Sequence, residues 1–510
     1  MILTERGGTW RSVPAIVLLI PISVAHADES AAAATQPAAP SSAPTTQSTA
    51  PGAHVGAVEA QPATQPPAKP RGPKYLRLRY DEDFSYLEGP SDSYEHDFFD
   101  PIKWIRLSDD LHLSIGGGFR FRMEAESDKD YDTNERGNDT FQLYKYLLHF
   151  DLHYRKTARL YVEGLSAFLE DRQLPGRAND EDHWDMEQLF FDVRPFGDAT
   201  PLTLRVGRQE MQYGAGRLVD STNWGNVRNR FDAAKLMYET STWSFDLFYA
   251  KHVDVRRQRP DRWHRQDFYG AYFTYKGIPR HGIDVYFFAL DDTGNRRNPN
   301  NWAGDVARYT LGSRFWGKTA GFDYETELLG QWGLWAHDTI QAWNWSIVGG
   351  YTFEKIPTTP RIGAGFDLVT GDRNPNDRSV QTADRLYGST HSYFGYLDLI
   401  GRANITDVIL ELSAWPVKDK VKTALTYYGF WLTQRRDALY DTGLRASRRD
   451  LAGRSGREVG KEMDLTIEWN IDVHSSLLLG WSHFWDGDFI KRTGRDKDPD
   501  FYYIHYAFKF

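Results

Sequence analysis

The sequence predicts an all-β protein, a transmembrane antiparallel β-barrel of about 18 strands. Three observations predict it: an alternating strand that ends at Phe510, period-two windows along the preceding chain, and an average polarity too high for membrane helices. In the last segment Tyr502, Ile504, Tyr506, Phe508 and Phe510 alternate with Tyr503, His505, Ala507 and Lys509. Upstream, Leu148, Phe150, Leu152 and Tyr154 oppose His149, Asp151 and His153; Trp243, Phe245, Leu247 and Tyr249 oppose Ser244 and Asp246. A period of two is that of a strand with one apolar and one wet face. Mean hydropathy is -0.59 although 40% of residues are hydrophobic. A barrel reconciles the two values, because only every second residue meets lipid. After the N-terminal leader no stretch approaches the ~18 apolar residues that a membrane helix requires. The 17 Trp, 28 Tyr and 29 Phe suffice for aromatic girdles at two interfaces.

A soluble β-sandwich alternates as well, so the placement of charge decides. Met463, Leu465, Ile467 and Trp469 oppose Glu462, Asp464, Thr466 and Glu468. Three carboxylates on one strand face demand water or counter-charge, which a barrel lumen supplies. The window VKTALTYYGFWL around Tyr427 is apolar on both faces, as where a strand packs against an internal loop. About 400 residues at roughly 22 per strand and connection give the strand number. Long polar connections at 370–391 and 434–460 are expected outside, and short turns at Gly197-Asp198 and from Asn470 to Ser475 on the periplasmic side.

The N-terminus divides into three pieces. Arg6 and Arg11 precede an apolar run from Val13 to Val24, and Ala25-His26-Ala27 has the small-x-small form of a signal-peptidase site, so residues 1–27 read as a signal peptide. The run is short, and Pro14 and Pro21 interrupt it, which disfavours a membrane anchor. Residues 28–73, rich in Ala, Pro and Thr, bury too little apolar surface to fold and read as a disordered linker. Residues 74–103 carry an acidic run, Asp81, Glu82, Asp83, Glu88, Asp92, Glu95, Asp97 and Asp100, which either plugs a basic lumen or is simply solvated. The barrel occupies 104–510. Cysteine is absent, which removes thiolate catalysis, cysteine-ligated zinc and disulfides. A net charge of -9 argues against a nucleic-acid binder.

The face expected to point inward carries Arg120, Arg122, Arg159, Arg205 and Lys509 with Asp151, Glu163, Asp192, Asp246, Glu462 and Asp464. Such a lining is either a set of cross-strand pairs that stiffen the wall or a ladder of guanidinium forks for a passing anion. The run from Asp254 to Arg265 and the stretch from Gln434 to Lys461 are basic and suit acidic polymers or lipid phosphates. No HExxH, GxSxG or glycine-rich phosphate loop occurs, so no enzyme is expected, and no cofactor. His149, Asp151 and His153 share a face with the alternation a metal would accept, but on a single strand they read better as a hydrogen-bonded lumen cluster.

Specific strings add a family. Leu204-Arg205-Val206-Gly207-Arg208-Gln209, then Val219-Asp220-Ser221-Thr222-Asn223-Trp224, resemble the alginate export porins. Gln188-Leu189-Phe190-Phe191-Asp192 and Gly460-Lys461-Glu462-Met463-Asp464-Leu465 are similar to further strands of that family, and the order agrees over roughly 104 to 510. The resemblance implies a monomeric barrel of about 18 strands with a constricted basic pore for a polyuronate, seated among outer-membrane lipids. It also implies recognition of Tyr506, Phe508 and Phe510 by the barrel-assembly machinery, and periplasmic polysaccharide-delivery proteins as partners. Arg205, Asp220 and Asp254 fall at charged positions of the family pattern, and Arg120 or Arg122 where its first strand is basic. Glu187 and Glu210 stand where alginate porins carry arginine, and basic positions near Leu478 and Gly480 are lost. The expected path residues are thus Arg120, Arg122, Glu187, Asp192, Arg205, Glu210, Asp220, Asp254, Glu462 and Asp464. The expected function is passive passage of an anionic polysaccharide, such as alginate or its fragments, through the outer membrane. A porin for small solutes is the first alternative; a barrel enzyme or adhesion protein is the second.

Overall fold

The structure, a computed structural model, describes residues 72–131, 137–177, 179–257 and 259–510. The signal peptide and the linker as far as residue 71 lie outside the described residues. Eighteen long strands form one closed antiparallel sheet. The first nine are β1 Leu111–Ser127, β2 Asp139–Tyr154, β3 Ala158–Glu170, β4 Asp182–Val193, β5 Leu202–Gln209, β6 Phe231–Glu239, β7 Trp243–Asp254, β8 Gln266–Tyr275 and β9 His281–Arg297. The rest are β10 Ala303–Thr319, β11 Phe322–Trp335, β12 Asp338–Thr352, β13 Arg361–Val369, β14 Ile405–Val417, β15 Val421–Leu432, β16 Glu458–Asn470, β17 Ser475–Asp486 and β18 Asp500–Lys509. Each pairs with its neighbours in chain order. The ring closes where β18 meets β1, from Gly118 opposite Lys509 to Ser127 opposite Asp500. Phe510 extends that seam, its amide donating to the Gly117 carbonyl at 3.0 Å. Closure leaves no unpaired sheet edge, which lipid would penalise.

The alternation sorts side chains as read. Leu148, Phe150, Leu247, Tyr249, Leu465, Ile467, Tyr502 and Ile504 are exposed toward lipid, whereas His149, Asp151, Glu462 and Asp464 are buried on the inner side. Turns at 155–157, 240–242, 320–321 and 471–474 gather at the end that also holds Phe510; the turn around Gly197-Asp198 lies there too. In barrels of this type that end is periplasmic. Of the long connections at the opposite end, 210–230 and 370–404 fold back into the lumen. The second therefore differs from the expected outer loop. Its apolar residues explain why: Phe394, Tyr396, Leu397 and Ile400 pack with Tyr428, Phe430 and Leu432 in one cluster, giving the doubly apolar β15 its internal partner.

Gly207, inside the sequence string quoted above, has φ +133°, and a Cβ there would lie 2.2 Å from the Leu189 carbonyl oxygen of β4. Only glycine lets β5 approach β4 this closely. Gly207→Ala is expected to cost about 1–3 kcal/mol in backbone strain before the clash is counted. A lower yield of the compact, heat-modifiable band in gels checks this, and a wild-type yield contradicts it.

Candidate functional site

The lumen is crossed by loop 210–230. At one end Arg120 of β1 donates to the Asn223 carbonyl at 2.7 Å, the Gly225 carbonyl at 2.9 Å and Asn226 Oδ1 at 2.9 Å. Beside it Arg122 donates to the Trp224 carbonyl at 2.7 Å, pairs with Glu124 and lies 4.0 Å over the Trp224 ring. Lys145 of β2, directly opposite Arg120 in register, reaches the Gly225 carbonyl at 3.2 Å. At the other end Arg217 pairs with Glu325 and, at 3.0 Å, with Glu327 of β11. β11 is ten strands from β1 one way round the ring and eight the other, so this loop spans the lumen from wall to wall.

Loop 370–404 joins it. The Asp220 amide donates to the Tyr387 carbonyl at 3.2 Å, the Tyr387 amide to the Leu218 carbonyl at 2.9 Å, and the Ser389 amide to the Gly216 carbonyl at 2.9 Å. Wall carboxylates hold the second loop by its backbone: Glu462 accepts from the Leu397 amide at 3.0 Å and Asp464 from the Tyr396 amide at 3.3 Å. Arg402 anchors its far end to Asp367 at 2.9 Å. At its outer root, burial pushes Asp372 up to about 7, with neighbouring Asp437 adding to the effect.

The segment of residues 72–103 seats in the lumen from the turn end. Tyr75, Arg79, Tyr80 and Phe84 are buried, while Asp81, Asp83, Glu88 and Glu95 are exposed. Contact is thus made by the basic and aromatic residues around the acidic run and by Asp97, which pairs with His474 at 2.7 Å, while Glu82 pairs with Arg79 inside the segment. The Tyr80 hydroxyl donates to the Glu210 carbonyl at 3.0 Å, and Arg77 pairs with Asp220 at 2.7 Å. The short helix α1 (Asp100–Lys103) closes the segment against the rim. Burial, together with nearby Arg79, pulls the Lys103 ammonium down to about 7.

Each expected path residue has a protein partner. Arg205 makes a two-pronged pair with Asp192 at 2.7 and 2.8 Å and lies 4.4 Å from the Tyr80 ring centre. Arg159 binds Asp151 at 2.7 Å, and His153 does so at 2.9 Å. Glu187 pairs with Arg230 and Glu210 with Arg228, both at 2.6 Å. Asp254 pairs with Arg262 at 2.6 Å at the outer end, beside a cavity of about 540 Å³ that also meets Arg265, Gln266, Asp292 and Arg296. Arg217, Arg228, Arg230 and Arg402 were not singled out from sequence. The signal for the first three is their place in one long connection, 210–230, that also carries Met211, Leu218, Val219, Trp224 and Val227; Arg402 lies in the other loop. Tyr506 and Phe508 lie on the closing strand, with Phe508 and Phe510 packed against Phe99.

A sequence profile described as alginate export matches residues 111–503. No curated protein matches the chain. Among solved structures, the chain is similar to Pseudomonas aeruginosa OpdL with 11% identity and a TM-score of 0.54, the match covering 78% of this chain and 98% of that one. Pseudomonas aeruginosa OccK8 (OprE) gives 12% and 0.53 over the same shares. Acinetobacter baumannii OccAB1 gives 10% and 0.53, over 78% of this chain and 96% of that one.

Proposed function

Because the chain belongs to the alginate export family, we propose that it is an outer-membrane channel for passive passage of an anionic polysaccharide, such as alginate or its fragments. The observation that carries this reading is Arg120 opposite Lys145. Like charges directly across a strand pair repel, and here they are met by neutral loop carbonyls, with no carboxylate hydrogen-bonded to either among the described residues. A carboxylate would bind both more strongly than a carbonyl does. A weak station of this kind lets a polymer move on, where a tight site would hold it. Residues 1–27 serve as the export signal, lipids surround the exposed apolar band, and delivery proteins are expected at the periplasmic mouth. No step calls for a cofactor or a catalytic group.

The wall pairs Arg205–Asp192 and Arg159–Asp151 favour a second reading, a porin for small solutes, since they leave much of the lining neutral. Planar bilayers separate the two. Anion selectivity with block by uronate oligomers is expected for the polysaccharide channel; unselective conductance without block indicates the porin; no conductance points to a barrel enzyme or adhesion protein.

A further inference from the structure

We infer that residues 72–103 are a separable plug of the periplasmic mouth, latched to the lumen by Arg77 on Asp220. Three observations make the segment separable. The barrel ladder closes without it, β18 pairing directly with β1. Between residues 72 and 104 it has only short helical turns and no strand pairing. Its described backbone hydrogen bonds are local apart from the Tyr80 carbonyl, which accepts from Arg159 at 2.5 Å. Undocking therefore exposes no sheet edge, and the penalty that ties a strand into a barrel does not apply to it.

Beside its buried aromatic residues, a small set of charged side chains holds the plug. Arg77 forks onto both oxygens of Asp220 at 2.7 and 2.8 Å. Arg79 donates to the Gly117 and Phe510 carbonyls, both at 2.9 Å, across the seam of the barrel. Asp97 pairs with His474 of the last turn at 2.7 Å. The Arg77 pair differs from the others in place and access. It reaches past the rim to the wall-to-wall loop, and Arg77 keeps 20% of its side chain exposed against 1% for Asp220. That partial exposure lets a competing anion reach the Arg77 guanidinium, so the latch can be undone from the path itself. The plug also sets Tyr80 over Arg205, covering a guanidinium on the inner wall. Docked, the segment narrows the mouth and masks that base; undocked, it frees both.

Two kinds of variant in the full chain test this in planar bilayers. Deleting 72–99 is expected to raise conductance several-fold, with the folded-barrel band in gels showing that the wall is intact. Arg77→Glu should raise it in the same direction, and Arg77→Glu with Asp220→Arg should return it toward wild type. The absence of cysteine allows a stricter form. In the Arg77→Cys, Asp220→Cys protein a short bis-maleimide should bring conductance from the raised level back to that of the wild type or below. A deleted channel with wild-type conductance overturns the plug. A deletion that conducts more, with an Arg77→Glu channel that does not, overturns the latch. Both outcomes are independent of uronate block, so they leave the choice of cargo untouched.

Discussion

Arg230→Met is expected to unseat the inward loop and to destabilise the barrel by about 3–5 kcal/mol, the range for removing one partner from a buried ionic cluster. Arg230 is fully buried and faces four carboxylates: Asp182 at 2.7 Å, Asp185 at 2.5 Å, Glu187 at 2.6 Å and Asp261 at 3.1 Å. Methionine keeps the bulk and removes the charge, so the acids lose the cation that they share. Arg208 still holds Asp261 at 2.7 Å, but no arginine reaches Glu187 in its place among the described residues. Urea titration of the folded protein and protease cleavage within 210–230 read the two effects. Arg230→Lys should recover only part of each, since an ammonium cannot make several directed bonds in the plane of a guanidinium. A Met variant with the wild-type urea midpoint would show that the carboxylates repack without the cation.

That cluster also marks the limit of reading the lumen from sequence. The wall was legible, because period two fixes which side of a strand faces lipid, and the windows that alternate in sequence obey it. Even the exception at β15 carried information, since a strand apolar on both faces needs an internal partner. What period two cannot give is the path of a connection once it leaves the sheet. Loops 210–230 and 370–404 follow no such rule, and their contacts are with strands far away in the chain. Glu187 and Glu210 illustrate the consequence. Strand by strand they subtract positive charge from the basic pore that the family resemblance implies, yet the folded loop returns Arg230 and Arg228 to those two positions. The charge change that the strands alone imply is thus largely offset in space. The acidic run shows the same limit: composition singled out residues 81–100, whereas the arginines that reach the crossing loop and the seam are Arg77 and Arg79, just before them.

Arg120→Gln is expected to loosen the loop that crosses the lumen more than it alters the wall. The guanidinium makes three hydrogen bonds to residues 223–226. Bonds to a charged donor contribute about 1.5–3 kcal/mol each, with strong overlap when they share one group. A net loss of about 3 kcal/mol is a conservative figure, and it corresponds to roughly a hundredfold rise in the undocked population of the loop. Glutamine keeps a donor but can satisfy only one or two of the three acceptors. Single-channel traces should then show frequent transitions between levels where the wild type is steady, and protease should cut between 223 and 226. A simple pore base predicts otherwise, namely a shifted reversal potential on a quiet trace. The two outcomes therefore assign Arg120 to the loop or to the cargo. Arg120→Lys sharpens the assignment: it keeps the charge that an anion would feel while losing the fork that holds Asn223, Gly225 and Asn226, so flicker without a change in selectivity places the residue's main role on the loop.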